Sequence, residues 1–306
     1  MVQLLYLLTL PSRSLSSYLS LHQEYLYIHT AEEIKIPLLR GYAQRFIKSG
    51  TRLIGMQRLS LLHLAPTIAA YFGLTLATPL PPAERILTYL RARRPPVVLL
   101  LVIDSLDCSL YRTLSTELAR IRTLLARDGL VFACETVSTA TTPAIASMLT
   151  GLPPESHGIL TSEEVGTSAV HSILELLDEA GMPTAAVMET KGTEPLQGRI
   201  SYVCPVDDRE DIEEYDGLIT SATLDLLQQQ ELRFIFAHLR TIDRFAHRGM
   251  DLQLAARITN QHISAITEAL GDRTGVLLLC GDHAAHLGVR GASSQNPGVP
   301  LVVTAP

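Results

Sequence analysis

Tryptophan is absent from this chain of 306 residues, and lysine occurs only at Lys35, Lys48 and Lys191. Basic charge is carried by arginine, and the formal net charge is −6. The clustered positive surface that grips a phosphate backbone is therefore not expected, and neither is a nucleic-acid partner. Cysteine is scarce too: Cys108, Cys134, Cys204 and Cys280 are scattered, with no two at CxxC spacing. That argues against a zinc knot or disulfide frame and for thiols packed as small hydrophobes in a reducing compartment. No run approaches the ~20 apolar residues that span a bilayer. The opening MVQLLYLLTLP lacks a basic segment and a small-residue cleavage site, and reads as a strand rather than a leader. A cytoplasmic protein with no membrane partner is expected.

Apolar residues, by contrast, are plentiful. They make up 47% of the chain against 18% charged, a balance that suits a folded core and not a disordered chain. From residue 97 onward, apolar runs alternate with amphipathic stretches, the pattern of a mostly parallel sheet covered on both faces. The expected fold class is α/β, a three-layer α/β/α sandwich. Strands are predicted at 96–104, 129–134, 184–188, 234–239 and 275–280, and helices at 115–127, 143–149, 168–180, 216–230 and 251–270. Residues 77–96, rich in proline and arginine, read as a helix-bearing connector to a core spanning 97–306.

Three of these strands deliver polar groups at their carboxyl ends, where open α/β sheets place their sites. Asp104 ends the first, Asp243 and His247 follow the second, and Asp282-His283 follow the third. Asp243 and His247 are four apart, so on a helical turn they share a face. A single Asp at a strand end is commonly a turn or cap residue. Carboxylates and imidazoles converging on one edge instead make a donor set suited to zinc, manganese or iron.

Between the first and later strands stands Glu135-Thr-Val-Ser-Thr-Ala-Thr-Thr-Pro-Ala-Ile-Ala-Ser-Met-Leu-Thr-Gly-Leu-Pro-Pro-Glu-Ser-His-Gly-Ile159. This segment resembles the nucleophile region of the alkaline phosphatase superfamily, especially its type I phosphodiesterase/nucleotide pyrophosphatase branch. The Asp243-Arg-Phe-Ala-His247-Arg-Gly249 and Gly281-Asp282-His283-Ala284 segments resemble the same branch, with Ala284 in place of its usual Gly. The resemblance implies an alkaline-phosphatase-like fold and a Thr141 nucleophile, with Thr142 as the neighbouring alternative and substrate contact. It implies two divalent metal ions, one held by Asp104, Thr141, Asp282 and His283, the other by Asp243 and His247. A further imidazole for the second ion would come from His286 or His29. It also implies a small phosphate ester as substrate, cleaved through a phosphothreonine; Lys191 is a candidate phosphate contact, and His157 is expected to be structural. A sulfatase is not expected, because that branch uses a modified Cys or Ser where this chain has Thr141. A phosphomutase, a phosphoryl or nucleotidyl transferase, or a non-catalytic metal-binding member are the alternatives.

The superfamily usually ends with a strand like Val299-Pro-Leu-Val302 and then a motif like Ala65-Pro-Thr-Ile68. Here that motif stands near the start. This order implies a single domain over 1–306 in circular permutation, with residues 1–76 supplying the usual carboxyl-terminal part; nearby chain termini make such a rearrangement permissible.

Overall fold

The apolar run ending at Asp104 forms the middle of the sheet. In the computed structural model, which describes residues 59–285 and 298–306, this strand is β2 (Val98–Ile103), and its side chains are at most 1% exposed. A side chain of this kind stabilises the fold by roughly 1.5–3 kcal/mol when fully buried. Parallel neighbours flank it with matched register: β6 (Phe234–Leu239) on one side and β7 (Val276–Gly281) on the other. Ile103 is level with both Leu239 and Gly281, so the residues that follow each strand emerge together.

Among the described residues the sheet has eight strands, in the order β1-β3-β8-β7-β2-β6-β4-β5. The others are β1 (Leu59–Ser60), β3 (Leu130–Glu135), β4 (Thr184–Glu189), β5 (Tyr202–Val206) and β8 (Val299–Thr304). β8 alone runs antiparallel to its neighbours, β3 and β7, so the sheet is mostly parallel as expected.

Alternation along the strands sorts the two faces. Leu99, Leu101 and Ile103 of β2, Ile235, Ala237 and Leu239 of β6, and Leu277 and Leu279 of β7 enter one buried cluster. That cluster also takes side chains of α3 (Cys108–Thr113), α4 (Ala119–Arg127), α9 (Ile212–Leu226), α10 (Thr241–His247) and α11 (Leu252–Asp272). On the opposite face, Cys280 Sγ lies 3.7 Å from the sulfur of Met148, a residue of α5 (Thr141–Thr150). α1 (Leu64–Tyr71), α2 (Glu84–Arg93), the short α6 (Pro154–His157), α7 (Ile173–Glu179) and the short α8 (Thr190–Thr193) are the other α-helices of the described residues. α1 packs against both α2 and α5.

Several boundaries depart from expectation, and side-chain caps explain them. The helix expected over 115–127 starts later, at Ala119, and a separate short helix precedes it: α3, which Asp107 caps by accepting from the Ser109 and Leu110 amides. Asp211 likewise starts α9 at Ile212 rather than 216, and a reciprocal Ser172–Glu175 capping box delays α7 to Ile173. Within α5, Thr150-Gly151-Leu152 works as a stop: Gly151 adopts φ 72°, and a Cβ there would sit 2.7 Å from the Thr78 methyl.

Candidate active site

Asp104 is the hub of the site. It follows β2 directly, is 1% exposed, and faces residues from three other elements. Thr141, the first residue of α5, places Oγ1 3.3 Å from Asp104 Oδ1 and 3.0 Å from His283 Nε2. Residue 140 is still extended, so the chain turns into the helix with the Thr141 hydroxyl at its positive end. His283 Nε2 is itself 3.3 Å from Asp104 Oδ1 and 3.5 Å from Asp282 Oδ2. Its Nδ1 is 2.9 Å from the Ala284 carbonyl, which turns the Nε2 edge inward.

Asp243 joins through Ser105, whose hydroxyl donates to Asp243 Oδ1 at 2.7 Å while its amide donates to Asp282 Oδ1 at 2.9 Å. To make both bonds Ser105 adopts φ 62°, a left-handed conformation unusual for a residue with a Cβ. His247 sits one turn beyond Asp243 on α10, with Nε2 3.3 Å from Asp243 Oδ1 and an exposed ring.

Three carboxylates in so small a buried volume distort one another's titration. Burial, then the Asp104 charge, pushes Asp282 up to about 8. Burial would also raise Asp104, but His283, His238 and Arg240 outweigh it and hold its pKa low. Burial works to lower His283, yet the bond to Asp104 and the charge of Asp282 prevail and raise it to about 9.

The donor set also fits divalent cations. Among the described residues, Asp104 Oδ2, Asp282 Oδ2 and His238 Nε2 are buried without a hydrogen-bond partner. Buried polar atoms are rarely left so, and buried carboxylates need compensating positive charge. One ligand atom each from Asp104, Asp243 and His283 lies within 4.8 Å of the others, and the same holds for Asp104, His238 and Asp282.

His238 and Arg240 were not singled out in the sequence. His238 is 3% exposed, and burial drives its pKa down to about 4, leaving a neutral ring. Arg240 reaches Glu189 at 2.9 Å, and its Nε, which has no hydrogen-bond partner among the described residues, is 3.7 Å from Asp104 Oδ2. The available signal was register: even positions of β2, β6 and β7 are paired, which puts His238 of β6 on the side of the residues 104, 240 and 282 that directly follow the three strands.

The other sequence candidates lie farther out or elsewhere. Thr142 directs its hydroxyl to Ser162 at 3.2 Å, and Lys191 is exposed on α8; both line a cleft of about 850 Å³ that also takes in Thr141, Arg240, Arg244 and His283. His157 is buried, with Nε2 2.9 Å from the Ser147 hydroxyl and Nδ1 accepting from the Ile159 amide. His29 and His286 lie outside the described residues.

The sulfatase family model matches residues 96–240, from the start of β2 to Arg240, and so takes in Asp104 and Thr141. That match covers just under half of the chain, and the likeness to solved structures is one of fold. Among solved structures, the fold is similar to that of a 2-O GAG sulfatase (TM-score 0.56, 13% identity, 69% of this chain and 64% of that one). A putative sulfatase from Bacteroides thetaiotaomicron gives TM-score 0.55 at 12% identity over 69% of this chain and 65% of that one. Murine ectonucleotide pyrophosphatase / phosphodiesterase 5 gives 0.51 at 15% identity, over 61% and 57%. The chain thus spans less than two thirds of the length of each. No curated protein sequence matches it.

Proposed function

We propose that this protein is a metal-dependent phosphoesterase, of phosphodiesterase/nucleotide pyrophosphatase type, that acts on small phosphate esters through a phosphothreonine at Thr141. The observation that carries it is the Thr141 hydroxyl, 3.3 Å from Asp104 and 3.0 Å from His283 at the foot of an open cleft.

Asp104, Asp243, His247, Asp282 and His283 are the residues that would hold two divalent cations, zinc first, with manganese or iron as other choices. When bound, the cations would supply Lewis-acid charge at the transferring group and lower the pKa of the threonine hydroxyl. Thr141 Oγ1 bonds to phosphorus as the ester oxygen leaves, and water then cleaves the phosphothreonine and restores the hydroxyl. The half-buried position of Thr141, at the first turn of α5, holds that oxygen fixed in direction. Arg240, along the same wall, is placed to meet an anionic substrate oxygen.

The sulfatase family match favours a second reading, hydrolysis of a sulfate ester. Thr141 speaks against it, since a plain threonine stands where the resemblance puts a modified residue in sulfatases. Assaying purified protein with zinc or manganese on 4-nitrophenyl phosphate, bis(4-nitrophenyl) phosphate and 4-nitrophenyl sulfate separates the two. Phosphodiester turnover supports the proposal; turnover of the sulfate alone overturns it. Labelled water entering the phosphate product distinguishes hydrolysis from mutase or transferase chemistry, and no turnover of any ester favours a metal-binding role. A cytoplasmic setting belongs to the same proposal, supported by free cysteines; no helix of the described residues is long and apolar enough to cross a membrane. So does the permuted chain order, supported by the pairing of β1 with β3 and the packing of α1 on α5.

A further inference from the structure

The motifs that resemble the superfamily account for Asp104, Asp243, His247, Asp282 and His283, but they leave one buried imidazole without a task. His238 is the fifth residue of β6, inside the apolar run Phe234-Ile-Phe-Ala-His-Leu239, and is 3% exposed. Its register partner on β2 is Val102, whose partner on β7 is Cys280. Strand alternation therefore puts His238 on the same face as Asp104 and Asp282, while Ile235, Ala237 and Leu239 enter the opposite core. A histidine placed there to fill space would satisfy its ring nitrogens or give way to an apolar residue such as Phe236, its neighbour on this face.

Neither has happened. His238 Nε2 is buried with no hydrogen-bond partner among the described residues. It points toward Asp104 Oδ2, 3.6 Å away, an oxygen that likewise lacks a hydrogen-bond partner. The third such atom is Asp282 Oδ2, and the Asp104, His238 and Asp282 ligand atoms lie within 4.8 Å of one another. Arg240 Nε, 3.7 Å from Asp104 Oδ2, is beyond hydrogen-bond reach, so three buried ligand atoms converge with no donor bonded to them, and a cation is what they have in common.

The second oxygen of Asp104 belongs to a different group. Oδ1 is 3.3 Å from both Thr141 Oγ1 and His283 Nε2, and Asp104, Asp243 and His283 also offer mutually close ligand atoms.

We infer that His238 is a metal ligand, and that Asp104 bridges two cation positions: one bounded by Asp104 Oδ2, Asp282 and His238, the other by Asp104 Oδ1, Asp243, His283 and Thr141. This rests on the metal-site reading above and divides the ligands differently, since Asp282 and His283 serve separate cations. It also supplies the further imidazole from the sheet itself, without His29 or His286.

The test is cobalt(II) binding to the metal-free full-length chain, followed by equilibrium dialysis with elemental analysis and by absorption spectroscopy. The wild-type protein takes up two equivalents. His238→Ala and His238→Gln lose one of them, while circular dichroism and thermal unfolding confirm that they fold. His238→Cys keeps two equivalents and gains a thiolate-to-cobalt charge-transfer band in the near ultraviolet, a signature that a merely structural position cannot produce. Two equivalents bound at wild-type affinity in both His238→Ala and His238→Gln would overturn the inference and leave the phosphoesterase proposal standing. So would a His238→Cys protein that binds two equivalents without the band. A wild-type chain that takes up no cobalt, zinc or manganese overturns the metal-site reading itself, and this inference with it.

Discussion

Gly281 lies so close beneath the Leu106 carbonyl that a Cβ on it would sit 2.0 Å from that oxygen. Only a residue without a side chain lets the turn after β2 cross the end of β7, and that crossing brings the Ser105 amide to Asp282. Gly281→Ala must push the two strand ends apart. Overpacking of this sort costs roughly 1–3 kcal/mol, and each kcal/mol lowers Tm by about 2–4 °C for a domain of this size. Differential scanning calorimetry reads the loss, and metal affinity should fall alongside it. An unchanged Tm with unchanged metal uptake would show that the turn does not rest on Gly281.

Ser105 links Asp282 and Asp243 from a left-handed backbone. Two substitutions separate the strain from the hydrogen bond. Ser105→Ala keeps the strain and loses the hydroxyl bond to Asp243; Ser105→Gly loses the same bond but relieves a conformation that costs a residue with a Cβ about 1–2 kcal/mol. Chemical denaturation should therefore place Ser105→Gly above Ser105→Ala by about 1 kcal/mol. Equal stabilities would mean the positive φ carries no cost.

The sheet and most of the site were legible for a simple reason: β2, β6 and β7 are buried on both faces, so they appear as unbroken apolar runs with polar residues at their ends. β5 escaped notice because it is a half-exposed edge strand carrying Pro205, which an edge tolerates and a central strand does not. The unexpected α3 and the early start of α9 were set by Asp107 and Asp211 as caps, which periodicity does not register. His238 was hidden by its apolar neighbours, and becomes visible only when strand parity is counted across matched registers. Ser105 gave no sequence signal, because its role depends on a backbone angle.

Arg240 is the guanidinium nearest the carboxylate hub, with Nε 3.7 Å from Asp104 Oδ2. If it meets the substrate's anionic oxygens, Arg240→Ala removes a charge-assisted hydrogen bond worth about 1.5–3 kcal/mol, or roughly ten- to a hundredfold in kcat/KM. Steady-state kinetics on a phosphate ester checks this, with metal content measured in parallel and expected to be unchanged. Loss of metal in the variant would assign Arg240 to the metal site rather than to substrate.

Metal removal supplies a test on stability. Cations that bind only the folded state add about 2.7 kcal/mol at a hundredfold excess over Kd. Chelation should lower Tm by several degrees, and added zinc or manganese should restore it. Thr141→Ala should respond like the wild type, because its methyl group still fills the first turn of α5 and the carboxylates remain.

The central claim is that Thr141 carries the phosphoryl group, and acid-quenched mass spectrometry during turnover of a phosphate ester tests it most directly. The account predicts one phosphoryl group on the peptide containing Thr141, absent from Thr141→Ala, whose turnover is lost while its metals stay bound. Turnover by Thr141→Ala at the wild-type rate, with no phosphorylated peptide in either protein, would contradict it.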